Sequence, residues 1–319
     1  MPASRPLQLS VVIITLNEVK RIGDCLDSVR DLADDVVVID AHSRDATRAV
    51  CAGRGARVFA RAWSGYSAQK NFGNARARHD WVLSLDADER VSPELAAAMR
   101  AEFARGPCSD AYSIRFENYF GRQRIRFGAW NPEYHVRLFD RRLLAWNEDD
   151  VHESLCSAVD VRPGRLRGCI RHLTVDSRAQ LAAKTDRYSA LFAAKVRRRA
   201  RPPGLSKVWL NPAWRFVRDY AVRLGALDGA AGAAIAWESA RYTHLKYARA
   251  LPAGRPLRLL QRLTMAAGCG LLALSLAQAP WARFRGENYL LSARIAVADI
   301  DDDFTNMNPL SFDDDDVVV

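Results

Sequence analysis

The first hundred residues alternate apolar runs with amphipathic stretches. Leu9–Thr15 is a largely β-branched apolar run, the pattern of a strand covered on both faces. Asp35–Asp40, Ala56–Phe59 and Trp81–Leu85 repeat it. Between the first two runs, Ile22, Cys25, Leu26 and Val29 recur at helical spacing, predicting a helix over Arg21–Val29. Further helices are predicted over Thr47–Ala52, Gln69–Ala77 and Pro93–Phe103, the last with Ser92 as N-cap and Pro93 in its first turn. This βαβαβαβα order predicts an open, mostly parallel α/β sheet with helices on both faces. Such sheets bind ligands beyond the carboxyl ends of their strands. Asn17, Asp40, Asp86 and Asp88 all fall at those ends.

From Asp110 to Leu155 the pattern shortens to β-like runs at Ala111–Phe116, Tyr134–Phe139 and Leu143–Trp146. Aromatic and arginine residues crowd this stretch, among them Tyr112, Phe116, Arg124 and Trp130. It reads either as a β-hairpin lobe with one wet face or as a wall for an acceptor. After Ser177 the pattern turns helical and basic. Lys195–Arg201 is a cluster of cations, and the Trp- and Arg-rich stretch from Pro212 resembles a helix lying on anionic lipid. Leu263–Ala282 is a charge-free run of spanning length with Ala, Gly, Ser and Gln content; spanning, interfacial and soluble helices all remain open for it.

Charge changes this picture in one respect. The net charge is +10, yet residues 299–319 hold eight Asp and no Lys or Arg, so those eight carboxylates bring a body of +18 down to the net value. A body that basic favours polyanionic partners such as phosphates or an anionic membrane. No nucleic-acid module accompanies the basic residues, so no nucleic-acid partner is expected. The acidic end is expected to be a disordered tail. Six cysteines show no CxxC pair and no zinc spacing, as expected of reduced thiols. The first eight residues carry no apolar signal core, and a cytoplasmic location is expected.

The candidate chemistry begins at Trp81-Val-Leu-Ser-Leu-Asp-Ala-Asp-Glu89. A buried strand ends in three carboxylates, Asp86, Asp88 and Glu89, within four residues. Such crowding is costly unless a cation neutralises it. Asp86 and Asp88 share one side of an extended chain and can serve one hard cation through oxygen. Mg²⁺ or Mn²⁺ held this way commonly carries substrate phosphates, which suggests a nucleoside diphosphate. A solvated acidic turn is the plain alternative.

In this order and spacing, six segments resemble a known family. They are Leu9-Ser-Val-Val-Ile-Ile-Thr-Leu-Asn-Glu, Val36-Val-Val-Ile-Asp-Ala-His-Ser-Arg-Asp-Ala-Thr, Gly65-Tyr-Ser-Ala-Gln-Lys-Asn-Phe-Gly-Asn, Asp80–Glu89, Tyr134-His-Val-Arg-Leu-Phe and Val151-His-Glu. Arg218-Asp-Tyr, Leu224-Gly-Ala-Leu-Asp-Gly and Lys246-Tyr also fit its later part. Over about residues 8–250 the chain resembles the family-2 glycosyltransferases of GT-A fold. Within that family it is similar to bacterial enzymes that add glucose to the inner-core heptose of lipopolysaccharide. Where family members usually show Ser-Gly-Ser-Thr-Asp after the strand-end Asp, this chain has Ala41-His-Ser-Arg-Asp45.

The resemblance implies a metal-dependent, inverting transfer of a hexose, glucose favoured, from a nucleotide sugar such as UDP-glucose. The acceptor it implies is a lipid-linked saccharide at the inner-membrane surface. It implies donor binding by Thr15, Asn17, Glu18, Asp40, Gln69, Lys70, Asn71, Asp86 and Arg137, with Asp40 accepting from the base imide. Lys70 would face a donor phosphate, Asn71 the ribose or sugar, and Arg137 the leaving diphosphate, although a structural ion pair suits Arg137 nearly as well. Metal ligation falls to Asp88 with Asp86. An inverting transfer needs one carboxylate as base. Glu148, Asp149, Asp150 and Glu153 are the candidates; the family's Val-His-Glu makes Glu153 the first and Asp150 the next, with His152 orienting the base. The implied organisation is a catalytic domain over 8–175, a helical membrane-associated region over 176–298 and the tail. A polyprenyl-phosphate acceptor, or a homologue that binds the donor without transfer, are the alternatives.

Overall fold

The computed structural model describes residues 8–147, 154–157, 160–197 and 205–251. They form two compact units: one runs to Arg124 and resumes over Asn131–Asp176, and the other joins Ile125–Trp130 to the chain from Ser177 onward.

The first unit holds β1 (Leu9–Thr15), α1 (Ile22–Val29), β2 (Asp35–Asp40), α2 (Thr47–Gly53), β3 (Arg57–Ala60), α3 (Tyr66–Asn74), β4 (Trp81–Asp86), β5 (Glu89–Val91) and α4 (Pro93–Arg105). It continues through β6 (Ala111–Phe120), β7 (Gln123–Arg124), β8 (Glu133–Asp140), β9 (Leu144–Trp146), β10 (Leu155–Ser157) and β11 (Gly164–Val175). Nine strands form one sheet in the order β3-β2-β1-β4-β8-β6-β11-β5, with β7 paired to β6. The first four strands are parallel, as the alternating helices require. Beyond β4 the sheet is mixed: β8 runs antiparallel to both β4 and β6, and β11 parallel to β6.

Every residue of β1 is buried, because both faces of the strand are covered. Leu9, Val11 and Ile13 pack with Ile22, Cys25, Leu26 and Val29 of α1 and with Leu95 and Met99 of α4. Val12 and Ile14 point the other way, into a cluster with Val37, Ile39, Phe139 and Trp146 that Phe72 of α3 covers. Helix α3 lies so close to the sheet that a Cβ at Gly73 would stand 2.3 Å from Val12 Cγ1, so only glycine fits there. At α4, Ser92 Oγ accepts from Leu95 N as the sequence indicated.

Three sequence expectations change. Helix α3 begins at Tyr66 rather than Gln69; Tyr66 stacks edge-on against Trp63, and the polar Ser67, Gln69 and Lys70 are buried within it. The run from Ala111 is not a lobe: it extends to Phe120 as an inner strand, with Tyr112 and Phe116 in the core. Strand β11 was not anticipated, since exposed Arg165, Arg167 and Arg171 interrupt its apolar pattern and its register shifts between Arg165 and Cys169.

In the second unit, α5 (Arg178–Arg197), α6 (Leu205–Val217) and α7 (Gly229–Ala248) follow the helical expectation. Arg241 donates twice to Asp186 at 2.8 Å, and Arg249 adds a third bond, tying α5 to the end of α7. Pro212 sits inside α6 and leaves the Val208 carbonyl without its helical donor. The buried His244 Nδ1, 3.0 Å from that oxygen, replaces it. Among the described residues no helix is long and apolar enough to cross a membrane. Leu263–Ala282 and the acidic end lie outside the described residues, as does most of the Lys195–Arg201 cluster.

Candidate active site

The register across β1 sets the site. Thr15 pairs with Asp40 on one side and Ile14 with Asp86 on the other, so both strand-end carboxylates emerge at the same edge of the sheet. The loops after β1 and β2 are zipped together. Asn17 N donates to Ser43 Oγ at 2.8 Å, Arg44 N donates to Asn17 Oδ1 at 2.9 Å, and Val19 N to Asp45 Oδ2 at 3.2 Å. Asn17 and His42 both adopt left-handed backbone, at φ 57 and φ 64. Asn and His are among the non-glycine residues that enter that conformation most readily, and both mark the strand-end loops as sharply turned. His42 stands where the family resemblance leads one to expect glycine.

Asp40 is fully buried. Its Oδ1 accepts from Ser43 N at 2.9 Å with Arg48 Nε 3.7 Å away, while Oδ2 has no hydrogen-bond partner among the described residues. Two neighbours are left in the same way. Thr15 Oγ1 and Gln69 Oε1 are buried without partners among the described residues, although Gln69 Nε2 donates to the carbonyls of Arg61 and Ala62. Arg61 N in turn donates to the Asp40 carbonyl, which links α3 to the end of β2. Buried polar groups are nearly always satisfied, so clustered exceptions point to a missing donor.

The carboxylates after β4 are met by protein cations. Arg137 Nη2 bridges Asp86 Oδ2 at 2.9 Å and Glu89 Oε1 at 2.7 Å. Lys70 Nζ lies 3.4 Å from Asp86 Oδ1 and 4.9 Å from the Trp146 ring. Glu89 Oε2 accepts from Asp86 N at 3.0 Å. Burial pushes the Glu89 carboxyl up to about 7, against the opposing pull of Arg137. Asp86 is therefore an ion-pair centre with a cation on each oxygen. Arg137 and Lys70 supply much of the neutralisation that the sequence alone assigned to a metal.

Asp88 is built differently. His172 Nε2 faces its Oδ2 at 3.4 Å, and Arg21 Nη1 stands at 3.9 Å. Arg21 also lies 3.7 Å from Glu18 Oε1, which engages Glu18 with this cluster. Asn118 Nδ2 donates to Glu133, so Asn118 Oδ1 is the acceptor for His172 Nδ1–H at 2.9 Å. That bond orients the ring and points Nε2 at Asp88. Neither His172 nor Asn118 was singled out from the sequence, because both lie on inner strands; a polar residue in an apolar run was the only signal.

Asn71 makes two structural bonds. It donates to the Trp146 carbonyl at 2.9 Å and accepts from Trp146 N at 3.0 Å, clamping β9 to α3. Glu153, Asp150 and His152, with Glu148 and Asp149, lie outside the described residues. Among the described residues no group of three or more His, Cys, Asp or Glu side chains is arranged to hold a metal ion. Cys25, Cys51 and Cys169 are buried free thiols, and Cys108 and Cys156 exposed ones.

The model of glycosyl transferase family 2 matches residues 10–159. A protein of Rickettsia felis named an uncharacterized glycosyltransferase is 40% identical over 227 residues, covering 68% of this chain and 80% of that one. The lipopolysaccharide core biosynthesis glycosyltransferase LpsC of Rhizobium meliloti is 29% identical over 230 residues, 67% of this chain and 81% of that one. The chain belongs to glycosyl transferase family 2 and is a glycosyltransferase with a GT-A-like α/β fold. Among solved structures, glucosyl-3-phosphoglycerate synthase of Mycobacterium tuberculosis, crystallised with Mn²⁺ and UDP, is similar at 22% identity and a TM-score of 0.29. That match covers 36% of this chain and 44% of the synthase, less than half of its length, and a likeness of that extent says nothing of the chemistry here.

Proposed function

We propose that the protein is an inverting, metal-dependent hexosyltransferase that moves a hexose, glucose favoured, from a nucleoside diphosphate to the inner core of lipopolysaccharide. The observation that carries the reading is Asp40 Oδ2, a buried carboxylate oxygen with no hydrogen-bond partner among the described residues, at the carboxyl edge of a parallel sheet. A carboxylate oxygen can only accept, so it calls for an N–H donor, and the imide of uracil supplies one. Thr15 Oγ1 and Gln69 Oε1 offer two further sites for the donor. The similarity to LpsC supports the lipopolysaccharide acceptor.

Asp88 and His172 suit Mg²⁺ or Mn²⁺. A carboxylate oxygen and an imidazole nitrogen converge, and the imidazole's other nitrogen is anchored on Asn118, the arrangement that orients metal-binding histidines. With these two residues as ligands, diphosphate oxygens would complete the coordination of the ion. The bound ion would offset the charge on the departing diphosphate. Asp86 holds Lys70 and Arg137 beside that site, where they add positive potential. In the transfer the acceptor hydroxyl oxygen bonds to the anomeric carbon as the carbon–oxygen bond to the diphosphate breaks. The hydroxyl proton passes to a carboxylate, Glu153 first among the candidates and Asp150 next. Residues 8–175 carry this chemistry; the region from 176 serves the lipid-linked acceptor at the cytoplasmic face of the inner membrane.

Calorimetric titration with UDP-glucose, UDP-galactose, GDP-mannose and ADP-heptose, each with Mn²⁺ and with EDTA, tests the reading. Metal-dependent binding of a UDP-sugar is expected. Binding of none of the four would overturn it.

A further inference from the structure

The second unit carries an exposed loop whose chemistry the transfer reaction does not use. At the end of α6 the helix widens into a single π turn over Arg218–Val222, closed by Arg223 N donating to the Arg218 carbonyl at 2.7 Å. Extra turns of this kind are uncommon and gather at functional positions. Here the π turn brings three guanidinium groups to one buried carboxylate. Asp219 Oδ2 accepts from Arg215 Nε at 2.6 Å, Oδ1 accepts from Arg218 Nε at 3.0 Å, and Arg223 Nη1 lies 3.8 Å from Oδ1. Three cations on one anion leave two positive charges uncompensated within the cluster. Burial, and then repulsion from Arg218, push the Arg223 guanidinium below its ordinary value.

The cluster is held rigidly. A Cβ on Gly225 would stand 2.4 Å from the Asp219 carbonyl oxygen, and one on Gly232 would stand 1.9 Å from the Gly225 carbonyl oxygen. The backbone of the loop and the first turn of α7 are therefore in direct contact. Around this fixed positive centre the surface is apolar. Val222 is 63% exposed, Leu224 46% and Leu227 58%, and on α6 Leu210 and Trp214, four residues apart, are 68% and 58% exposed. Large apolar side chains gathered on a surface mark an interaction site. The two uncompensated guanidinium groups beside this patch, on a body as basic as this one, call for an anion at the same depth. An anionic lipid presents that combination, with phosphate at the interface and hydrocarbon beneath it.

We propose that the loop from Arg218 to Asp228, with the exposed face of α6, docks the enzyme on an anionic bilayer. Arg218 and Arg223 take a lipid phosphate while Val222, Leu224 and Leu227 enter the acyl boundary and Trp214 lies at the headgroup level. The inference rests on the reading that the acceptor is lipid-linked, and it specifies the surface that brings the enzyme to it.

Flotation of the full chain with phosphatidylcholine vesicles, with and without phosphatidylglycerol, tests it. The protein is expected to float with the anionic vesicles, less so as salt is raised. R223Q should weaken that binding about fivefold, the effect of one interfacial cation. V222E/L227E should weaken it by about tenfold or more through loss of buried apolar area. Far-UV circular dichroism and UDP-glucose binding without vesicles should be unchanged in both variants. Undiminished flotation of a V222E/L227E/R223Q variant, or no flotation of the wild type on anionic vesicles, would overturn the proposal. Vesicle binding without donor binding in the wild type would instead count against the glycosyl-transfer reading alone.

Discussion

Strand β2 begins and ends on a buried aspartate, and the two are treated in opposite ways. Asp35, at the amino end, is saturated: it accepts from Arg57 Nε at 2.8 Å and Nη2 at 2.9 Å, from Ser10 Oγ at 2.9 Å and from Arg78 N at 2.9 Å. Asp40, five residues along the same strand, keeps one oxygen buried without a partner among the described residues. The strand, the residue type and the burial are shared, so composition cannot account for the contrast. At the amino end Asp35 is finished as structure. The carboxyl edge keeps acceptors open to a ligand, as the topology of parallel sheets leads one to expect.

The contrast can be broken most forcefully at Asp88. Asp88→Ala should lower transfer about a thousandfold while leaving the thermal midpoint in place, because the electrostatic offset to the leaving diphosphate is lost. Near-normal turnover in a coupled assay would remove Asp88 from the site. Arg137→Ala tests the opposite kind of role. It leaves the buried Asp86 and Glu89 without their shared cation, so chemical denaturation should show a loss of about 3–5 kcal/mol. An unchanged denaturation midpoint would mean that Arg137 serves the donor rather than the fold.

How far the sequence reaches follows the same division. The four parallel strands, their helices and the edge at which Asp40, Asp86 and Asp88 emerge were legible, because apolar runs and strand ends are local patterns. The second half of the sheet was not. Arginines at 165, 167 and 171 hide β11, and with it His172, whose partner Asp88 is 84 residues away in the chain. Asn71 looked like a ligand residue because its type and place fit one; that its amide binds Trp146 depends on where β9 packs. The cationic partners of Asp86 were nameable one by one, yet their convergence on a single carboxylate needs the fold.

Smaller effects sharpen the comparison. Asp35→Asn should destabilise the fold by about 1.5–3 kcal/mol, since it weakens bonds to a charged group, whereas Asp40→Asn should leave stability within about 0.5 kcal/mol. Thermal melts of the two variants check both. The acid limb gives the smallest signal. Burial raises the Asp35 carboxyl, but hydrogen bonds from Arg57, Arg78 and Ser10 outweigh it and hold the group below the usual carboxylate range. A depressed folded value means its contribution is complete above the unfolded value of about 3.9 and is lost as pH falls through the folded one. The thermal midpoint of the wild type should therefore drop more steeply below about pH 4 than that of Asp35→Asn, and parallel acid limbs would exclude this contribution.

The most direct test of the account is a paired titration of Asp40→Asn and Asp35→Asn with UDP-glucose and Mn²⁺. Asp40→Asn should weaken binding about tenfold to a hundredfold, the cost of losing a charged acceptor, and Asp35→Asn should bind as the wild type does. Equal affinities in the two variants, or a loss confined to Asp35→Asn, would contradict the assignment of the carboxyl edge as the donor site.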